Sequence, residues 1–305
     1  MKNKSLLKFS TLALGAASIA LMAGCSYLGN PMREQVAERV AGQAWLLKRE
    51  IAAYPYMLTA YERMHETHAP VTIYIEGDGM ANKHQGTILY QPDPKNPVGL
   101  HLASKDRSKN LAYIARPCQY SGLIEETEEK NCKQEETWNT ALYSRKTLNA
   151  YNSAIDKMKR RYDLTEINLV GYDSGATLAA MIAGSREDVA SFRTVAGEFQ
   201  IDVIEPYARQ LSLIPQYHFI GGDDEFNQPG PLHAYLQMVD GNHCVYDTLI
   251  QEAGHDNGWV DKWPDLHKKE LPTCEAPMKE LDYIPYEIEP KPEPIYYPRP
   301  SSLAK

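Results

Sequence analysis

Two adjacent residues that could act as nucleophiles, Asp173 and Ser174, lie in a turn framed by glycines. The turn, Gly171-Tyr172-Asp173-Ser174-Gly175, follows the apolar run Ile167 to Val170 and precedes the small-residue segment Ala176 to Ala183. This order predicts a buried strand, a sharp bend and a helix, which is the arrangement of a nucleophile elbow. The central residue of an elbow is left-handed, and glycine two positions away on each side lets strand and helix approach closely. Both of these positions are glycine only if Asp173 is the central residue.

Ser174 is the other candidate for the centre of the bend. Its flanking positions would then be Tyr172 and Ala176, and a tyrosine ring is poorly tolerated where the strand and the helix cross. The spacing therefore predicts that Asp173 lies at the tip. The backbone N–H of Ser174 is then available as an oxyanion donor.

An acid and a histidine follow the elbow along the chain. Asp224 comes after the run Phe219-Ile220-Gly221-Gly222, and His255 comes after the run Val245 to Ile250. A carboxylate can orient an imidazole, which then takes a proton from a nucleophile or from water. The chain order of elbow, acid and histidine is the order that α/β-hydrolases use.

A glycine-containing loop, Glu76-Gly77-Asp78-Gly79, leaves the β-branched run Val71 to Ile75. In a fold of this kind the loop after an early strand supplies the second oxyanion donor. We therefore expect the backbone N–H groups of Asp78 and Gly79 to serve with that of Ser174. A plain turn is the alternative.

Strand-like runs alternate with helical periodicity over most of the chain. The predicted strands cover 56–64, 71–75, 111–115, 167–170, 192–196, 217–220 and 245–250, and the predicted helices cover 97–103, 137–162, 176–183 and 259–269. The alternation predicts the α/β class, with a mostly parallel central sheet flanked by helices. We expect residues 56–64 at an edge of the sheet. Only Phe199 to Pro215 separates two successive strands, so little or no cap domain is expected.

The first 24 residues are typical of an export signal, because lysines precede the apolar run Leu12 to Ala23. The run ends in Leu21-Met22-Ala23-Gly24-Cys25, which resembles a bacterial lipobox and implies cleavage after Gly24 and lipid on Cys25. An ordinary secretory signal followed by a free cysteine is the alternative. Ser26 after the cysteine favours the outer membrane, facing the periplasm. An amphipathic helix is predicted over Pro31 to Glu50.

The remaining cysteines form an even set, Cys118, Cys132, Cys244 and Cys274, as expected of an oxidising compartment. Of the three possible pairings we favour Cys118 with Cys132 and Cys244 with Cys274, since each would close a loop next to the predicted site. A metal site is not expected, because the sequence shows no C-x-x-C or H-x-x-x-H spacing. We expect no cofactor.

Composition bounds the partners and the domains. The 305 residues carry a net charge of −8, which argues against nucleic acid as a partner. We expect a signal peptide over 1–24, lipid attachment and an amphipathic N-terminal helix over 25–55, an α/β-hydrolase domain over 56–270 and a tail over 271–305. The tail is rich in proline and tyrosine, which favours an extended segment that could bind a protein partner.

Several motifs together resemble a bacterial α/β-hydrolase lipoprotein family whose members are largely uncharacterised. They are the Cys25 lipobox, Val71 to Gly79, Ala115 to Tyr120 (ARPCQY), LVGYDSGATLAA, Thr194 to Gly197, FIGGDD and GHDNGWVDKWPDL. The match extends over most of residues 56–268 and is specific through the order of the motifs. The resemblance implies a nucleophile at position 173, an acid at Asp224 and a base at His255. The family pattern has serine at position 173, and this chain departs from it with aspartate.

Three functions remain open from the residues. The first is a membrane-anchored envelope hydrolase of small esters or related acyl substrates, in which Ser174 passes its proton to His255. The second is a catalytically degenerate fold that serves as an envelope scaffold or binding module, in which aspartate persists because it tolerates left-handed backbone.

The third is an aspartate nucleophile that attacks an alkyl carbon, as in dehalogenases and epoxide hydrolases. The resulting alkyl ester can be hydrolysed by histidine-activated water, whereas attack on an ester would give an anhydride. Such enzymes usually carry a bulky aromatic residue after the nucleophile and a cap domain, and here Ser174 follows Asp173. The substrate is not specified by the sequence.

Overall fold

A computed structural model describes residues 29–78, 92–125, 132, 141–239 and 243–274. The predicted signal peptide, Cys25 as the predicted site of lipid attachment, Gly79 as a predicted oxyanion donor and the predicted tail beyond residue 274 lie outside the described residues. No helix in the described part of the chain is both long and apolar enough to cross a bilayer.

Eight strands form one sheet in the order β1-β2-β4-β3-β5-β6-β7-β8. They are β1 (Leu47–Ala53), β2 (Tyr56–Arg63), β3 (Val71–Ile75), β4 (Leu111–Ile114), β5 (Ile167–Tyr172), β6 (Val189–Val195), β7 (Gln216–Gly221) and β8 (Val245–Ile250). β2 runs antiparallel to both β1 and β4, and all the remaining pairs are parallel. The predicted α/β class and mostly parallel sheet are therefore confirmed.

Helices cover both faces of this sheet. They are α1 (Gly29–Gln43), α2 (Val98–Lys105), α3 (Arg145–Tyr162), α4 (Gly175–Gly184), α5 (Ile201–Ile204), α6 (Ala208–Leu211), α7 (Pro229–Val239) and α8 (Trp263–Leu266). On one face α3, α4 and α7 bury residues such as Tyr151, Leu178 and Tyr235. On the other face α1, α2 and α8 bury residues such as Val40, Leu102 and Trp263. Alternate side chains of each inner strand enter the two cores, which explains the dense apolar runs.

The N-terminal region differs from the prediction of one helix over Pro31 to Glu50. The helix ends at Gln43, because Trp45 adopts a left-handed conformation with φ of 58° and reverses the chain. Residues 47–53 then form β1, the edge strand, whose first four side chains are exposed. β2 consequently lies second in the sheet and not at its edge, and the sheet begins before residue 56.

Two other helices are shorter than predicted. The described helix α3 begins at Arg145, where the Ser144 hydroxyl accepts a hydrogen bond from the Thr147 N–H; residues 137–140 lie outside the described residues. The helix predicted over 259–269 is limited to Trp263–Leu266, with Pro264 in its first turn. Proline is tolerated in the first turn of a helix, whereas an earlier start would place Pro264 in the interior, where it lacks the N–H that the helix needs. Between β6 and β7 lie only α5, α6 and one 3₁₀ turn, in keeping with the absence of a large insertion at this point.

Candidate active site

A sharp bend joins β5 to α4, and Asp173 lies at its tip. The φ angle of Asp173 is 52°, which is the left-handed conformation expected of the central residue of an elbow. A Cβ atom on Gly171 would lie 2.6 Å from the Cα of Ala176, and a Cβ atom on Gly175 would lie 2.5 Å from the carbonyl oxygen of Ile75. Only glycine fits at these two positions, so the spacing argument from the sequence has a direct physical basis.

Asp173, Asp224 and His255 come together at one edge of the sheet. They follow β5, β7 and β8, and the carboxyl ends of parallel strands meet at this edge. Nδ1 of His255 lies 3.2 Å from Oδ2 of Asp224, and Nε2 of His255 lies 3.5 Å from Oδ1 of Asp173. The imidazole is therefore placed between two carboxylates.

The two oxygens of Asp173 have different surroundings. Oδ2 accepts a hydrogen bond from the backbone N–H of Asp78 at 3.4 Å and one from the hydroxyl of Ser174 at 3.3 Å. Oδ1 accepts a hydrogen bond from the side-chain amide of Asn227 at 2.9 Å and faces His255. Oδ2 thus faces the backbone N–H of Asp78 and the Ser174 hydroxyl, and Oδ1 faces His255 and the Asn227 amide.

Burial, which is the largest cause, and the nearby charge of Asp78 raise the pKa of Asp173 to about 6. The charge of His255 and the hydrogen bond from Asn227 act in the opposite direction. Asp173 therefore ionises close to neutral pH, unlike an exposed aspartate.

His255 and Asp224 support each other's charged forms. Burial lowers the pKa of His255, but the hydrogen bond to Asp224 and the charges of Asp173 and Asp224 outweigh it, so the pKa of His255 is raised. Burial raises the pKa of Asp224, but hydrogen bonds from His255 and from the backbone N–H of Asn227 outweigh it, so the pKa of Asp224 is lowered. The second oxygen of Asp224 accepts the N–H groups of Phe226 and Asn227 at 2.9 Å each, which fixes the carboxylate.

Ser174 lies at the start of α4 with its side chain completely buried. Its hydroxyl accepts a hydrogen bond from Nη1 of Arg116 at 2.7 Å and donates one to Asp173. In the described structure it makes no hydrogen bond to His255. The geometry therefore gives Asp173, and not Ser174, the position next to the histidine.

Glu76 fixes the loop that carries Asp78. Its buried carboxylate accepts hydrogen bonds from the backbone N–H groups of Gly77, Gly99 and Leu100 and from the Tyr113 hydroxyl, at 3.0 to 3.3 Å. It thereby joins the end of β3 to the first turn of α2. Burial raises the pKa of Glu76 to about 7, although all four hydrogen bonds act to lower it.

Arg116, Asn227 and Glu76 were not assigned roles from the sequence. Arg116 and Glu76 lie inside segments that carry the family resemblance, ARPCQY and VTIYIEGDG, but their partners are 58 and 23 positions away in the chain. Asn227 lies three residues after Asp224, and its backbone N–H donates a hydrogen bond to Oδ1 of Asp224, as aspartate side chains commonly accept from the backbone that follows them in turns. That local pattern was the available signal for Asn227.

Two disulfides join Cys118 to Cys132 and Cys244 to Cys274, which is the pairing favoured from the sequence. Cys118 lies two residues after Arg116, and Cys244 lies immediately before β8, the strand that leads to His255. Each bridge therefore restrains a segment that leads to or leaves the site.

No group of three His, Cys, Asp or Glu side chains in the described ranges is arranged to hold a metal ion. A separate groove of about 780 Å³ includes Trp45 and Arg63. Arg63 pairs with Leu111, the first residue of β4, so this groove lies at the amino ends of the parallel strands, opposite Asp173. Arg63 donates there to three backbone carbonyls.

Several solved structures share this architecture. A protein of unknown function from Agrobacterium tumefaciens assigned to the α/β hydrolases has a TM-score of 0.52 and 14% identity, over 74% of this chain and 99% of that chain. An α/β serine hydrolase homologue from Coxiella burnetii has a TM-score of 0.52 and 14% identity, over 72% and 94% of the two chains. An esterase from Pyrococcus furiosus has a TM-score of 0.51 and 10% identity, over 74% and 90%.

No protein-family model and no curated protein sequence matches the chain. At identities of 10–14%, the structural similarities establish the fold alone. The chemistry has to be argued from the residues of the site. The eight-stranded sheet, the strand order and these similarities show that the chain has the α/β-hydrolase fold.

Proposed function

We propose that this chain is a hydrolase in which the carboxylate of Asp173 is the nucleophile and attacks an alkyl carbon of its substrate. The observation that carries the proposal is the position of the Asp173 carboxylate. Its Oδ2 accepts the Asp78 N–H, as an oxyanion would, while its Oδ1 lies 3.5 Å from Nε2 of His255.

In the first step Oδ1 of Asp173 displaces a leaving group from the substrate carbon. A C–O bond forms, the leaving group departs with the electron pair of the broken bond, and the product is an alkyl ester on Asp173. The carboxylate must be ionised for this step, and a pKa of about 6 makes it so at neutral pH. The Asn227 amide holds the carboxylate plane while Oδ1 reacts.

In the second step His255 takes a proton from water, and the resulting hydroxide attacks the ester carbon of Asp173. The charge of Asp173 is one cause of the raised pKa of His255. Esterification removes that charge, so the pKa of His255 falls and the imidazole can become a base. Charge develops on Oδ2, next to the Asp78 N–H, and collapse releases the alcohol and restores the carboxylate.

Hydrolysis of small esters through Ser174 is a competing proposal. It requires the Ser174 hydroxyl to leave Arg116 and reach His255, which means turning the residue immediately before α4. Asp173 itself is a poor nucleophile for esters, because the product would be an anhydride. A carboxylate nucleophile at position 173 therefore favours an alkyl carbon over an acyl carbon.

A second proposal of a different class is a non-catalytic binding or scaffold module. The observation that favours it is that both oxygens of Asp173 already accept hydrogen bonds within the protein. Aspartate also adopts a φ of 52° more readily than most residues do. In this proposal the Asp173–His255–Asp224 cluster stabilises the fold and reacts with nothing.

We further propose that the protein acts in the bacterial envelope. Lipid on Cys25 would anchor it to the outer membrane, and the protein would face the periplasm. The two disulfides support an oxidising compartment. Globomycin-sensitive processing and metabolic labelling with palmitate test the anchor, and loss of the label in Cys25→Ala is the expected result. Palmitate incorporation that persists in Cys25→Ala would contradict it.

The catalytic proposal is tested with His255→Gln, which should form the alkyl ester and fail to hydrolyse it. The variant is incubated with a panel of small alkyl bromides and epoxides, and its intact mass is then measured. We expect a mass increase located by peptide mapping to Asp173, and none in Asp173→Asn/His255→Gln. A mass increase that persists in the double variant, or hydrolysis of chromogenic acyl esters that requires Ser174 and survives in Asp173→Asn, would contradict the proposal. Gain of esterase activity in Asp173→Ser, with no alkylation in His255→Gln, would favour the non-catalytic module.

A further inference from the structure

Arg116 carries a buried positive charge that forms no ion pair with any of the residues that the structure describes. The residue is 2% exposed, and no carboxylate of the described residues lies within 4.0 Å of its guanidinium. Its Nε has no hydrogen-bond partner within the described part of the chain. A buried and unpaired guanidinium is costly, so its retention points to a role beyond packing.

The direction of the hydrogen bonds shows where this charge acts. A guanidinium only donates, so the Ser174 hydroxyl must accept the bond from Nη1 of Arg116 at 2.7 Å. The hydroxyl proton is then free to point at Oδ2 of Asp173, 3.3 Å away. Accepting a hydrogen bond from a cation makes the hydroxyl a stronger hydrogen-bond donor, because the two bonds polarise each other.

The same Oδ2 atom accepts the N–H of Asp78 from the opposite loop. Two donors therefore converge on one oxygen, and one of them is connected to a buried positive charge. Oδ1, in contrast, faces the histidine and a neutral amide. This asymmetry distinguishes the two oxygens of the carboxylate chemically.

We propose that Ser174 is a side-chain oxyanion donor and that Arg116 is its positioning residue. This inference rests on the proposed aspartate-nucleophile function. When hydroxide adds to the ester carbon of Asp173, the C=O π electrons move to Oδ2. The Ser174 O–H and the Asp78 N–H stabilise that charge, and Arg116 holds the hydroxyl without giving up a proton. The electrons return to carbon as the alkoxide departs, and the alkoxide takes the proton that His255 removed from water.

This role would also give the Ser174 hydroxyl a function, although that hydroxyl makes no hydrogen bond to His255 among the described contacts. Ser174→Ala removes the donor from Oδ2 and leaves the guanidinium of Arg116 without its acceptor. Arg116→Met keeps most of the buried stem and removes the charge. Both changes should impair the same step, since Arg116 acts through Ser174.

The first readout is the pKa of Asp173, measured by carbon-13 NMR of the aspartate carboxyls with Asp173→Asn as the assignment control. This readout requires no substrate and is independent of the proposed reaction. We expect the pKa to rise by roughly one unit in Ser174→Ala and by a similar amount in Arg116→Met. We expect no further rise in the double variant. Arg193→Met is the matched control, because Arg193 is also buried with an unpartnered Nε but donates to the backbone of Lys269.

The second readout separates the two steps of the reaction. Ester formation, followed by intact mass, should change less than about threefold in Ser174→Ala and in Arg116→Met, while ester hydrolysis should slow by roughly tenfold to a hundredfold. Absence of ester in every variant contradicts the proposed function and leaves the pKa experiment to decide the hydrogen-bond chain on its own.

A rise in the pKa of Asp173 that is as large for Arg116→Met in the Ser174→Ala background as in the wild type would show that Arg116 acts as a distant charge. That result overturns the proposal, as does an unchanged pKa of Asp173 in Ser174→Ala. If Arg116→Met does not fold, as judged by far-UV circular dichroism, Arg116→Gln replaces it in the same cycle and is read by the same two criteria.

Discussion

Oδ1 of Asp173 lies 3.5 Å from Nε2 of His255, the ring nitrogen that faces away from Asp224. This is the place in which the hydroxyl of a serine nucleophile would be expected in a hydrolase of this fold. The aspartate therefore keeps the contact with the base that a serine would make. It also places a second carboxylate beside the imidazole. The charge of Asp173 raises the pKa of His255, and the charge of His255 lowers the pKa of Asp173.

The bend that presents Asp173 depends on two close approaches of backbone. Gly171→Ala and Gly175→Ala should each destabilise the protein by about 3 kcal/mol or more, because the new methyl group would overlap backbone atoms. Urea unfolding measures the loss. Gly42→Ala in α1 is the control, since nothing lies within 4 Å of its added Cβ, and it should be neutral or stabilising by about 0.5–1 kcal/mol. Equal effects at all three positions would contradict the elbow geometry.

The pH dependence of alkylation should follow the ionisation of Asp173. The carboxylate is the reactive form and its pKa is raised to about 6, so the rate should fall about tenfold per pH unit below 6 and level off above it. Alkylation of the wild type by an epoxide, stopped after short times between pH 4 and 8, measures this profile. A rate that stays constant down to pH 4 would show that Asp173 is not the reacting group.

Asp224 should control the protonation and the orientation of His255. Asp224→Asn removes a hydrogen bond that raises the pKa of His255, so that pKa should fall, and turnover should drop by roughly a thousandfold or more. Proton NMR of the histidine ring gives the pKa, and steady-state kinetics give the turnover. Asp223→Asn, a change at the exposed neighbouring residue, is the control and should leave both values unchanged. Equal effects of the two changes would show that Asp224 has no specific role in controlling His255.

Glu76 should make stability depend on pH in a defined direction. Its pKa in the folded protein, about 7, is above the ordinary value of 4.5, so ionisation costs stability as the pH rises from about 4.5 to 7. Glu76→Gln cannot ionise, and its unfolding free energy relative to wild type should therefore increase over this range, by on the order of 3 kcal/mol. Both proteins are unfolded in urea at pH 4.5 and at pH 8. A difference that is the same at the two pH values would contradict the buried, ionisable state of Glu76.

The site was accessible to sequence reasoning wherever a local constraint fixed it. The glycines around Asp173 are needed by the crossing of one strand and the next helix, so the spacing alone identified the tip of the bend. Asp224 and His255 follow strands that pair in parallel, and the alternation of elements placed both at the same edge. The two disulfides each close a loop next to these segments, and this proximity was the basis on which the pairing was predicted.

Contacts between distant parts of the chain could not be read in this way. Arg116 meets Ser174 across 58 positions, and nothing in either motif indicates that contact. The helical spacing of apolar residues in the sequence continues beyond the end of α1 to Leu47, and for this reason the predicted helix was too long. The left-handed residue that follows the end of that helix is Trp45, and a tryptophan does not signal such a turn as a glycine at that position would.

The central claim is that an oxygen atom of Asp173 enters the product. A single turnover with enzyme in excess, in water enriched in oxygen-18, tests it most directly, with an epoxide or alkyl bromide as substrate. We predict that the peptide containing Asp173 gains one oxygen-18 atom, while the oxygen newly bonded to the substrate carbon is oxygen-16. Oxygen-18 on the substrate carbon, with an unlabelled Asp173, would contradict the account.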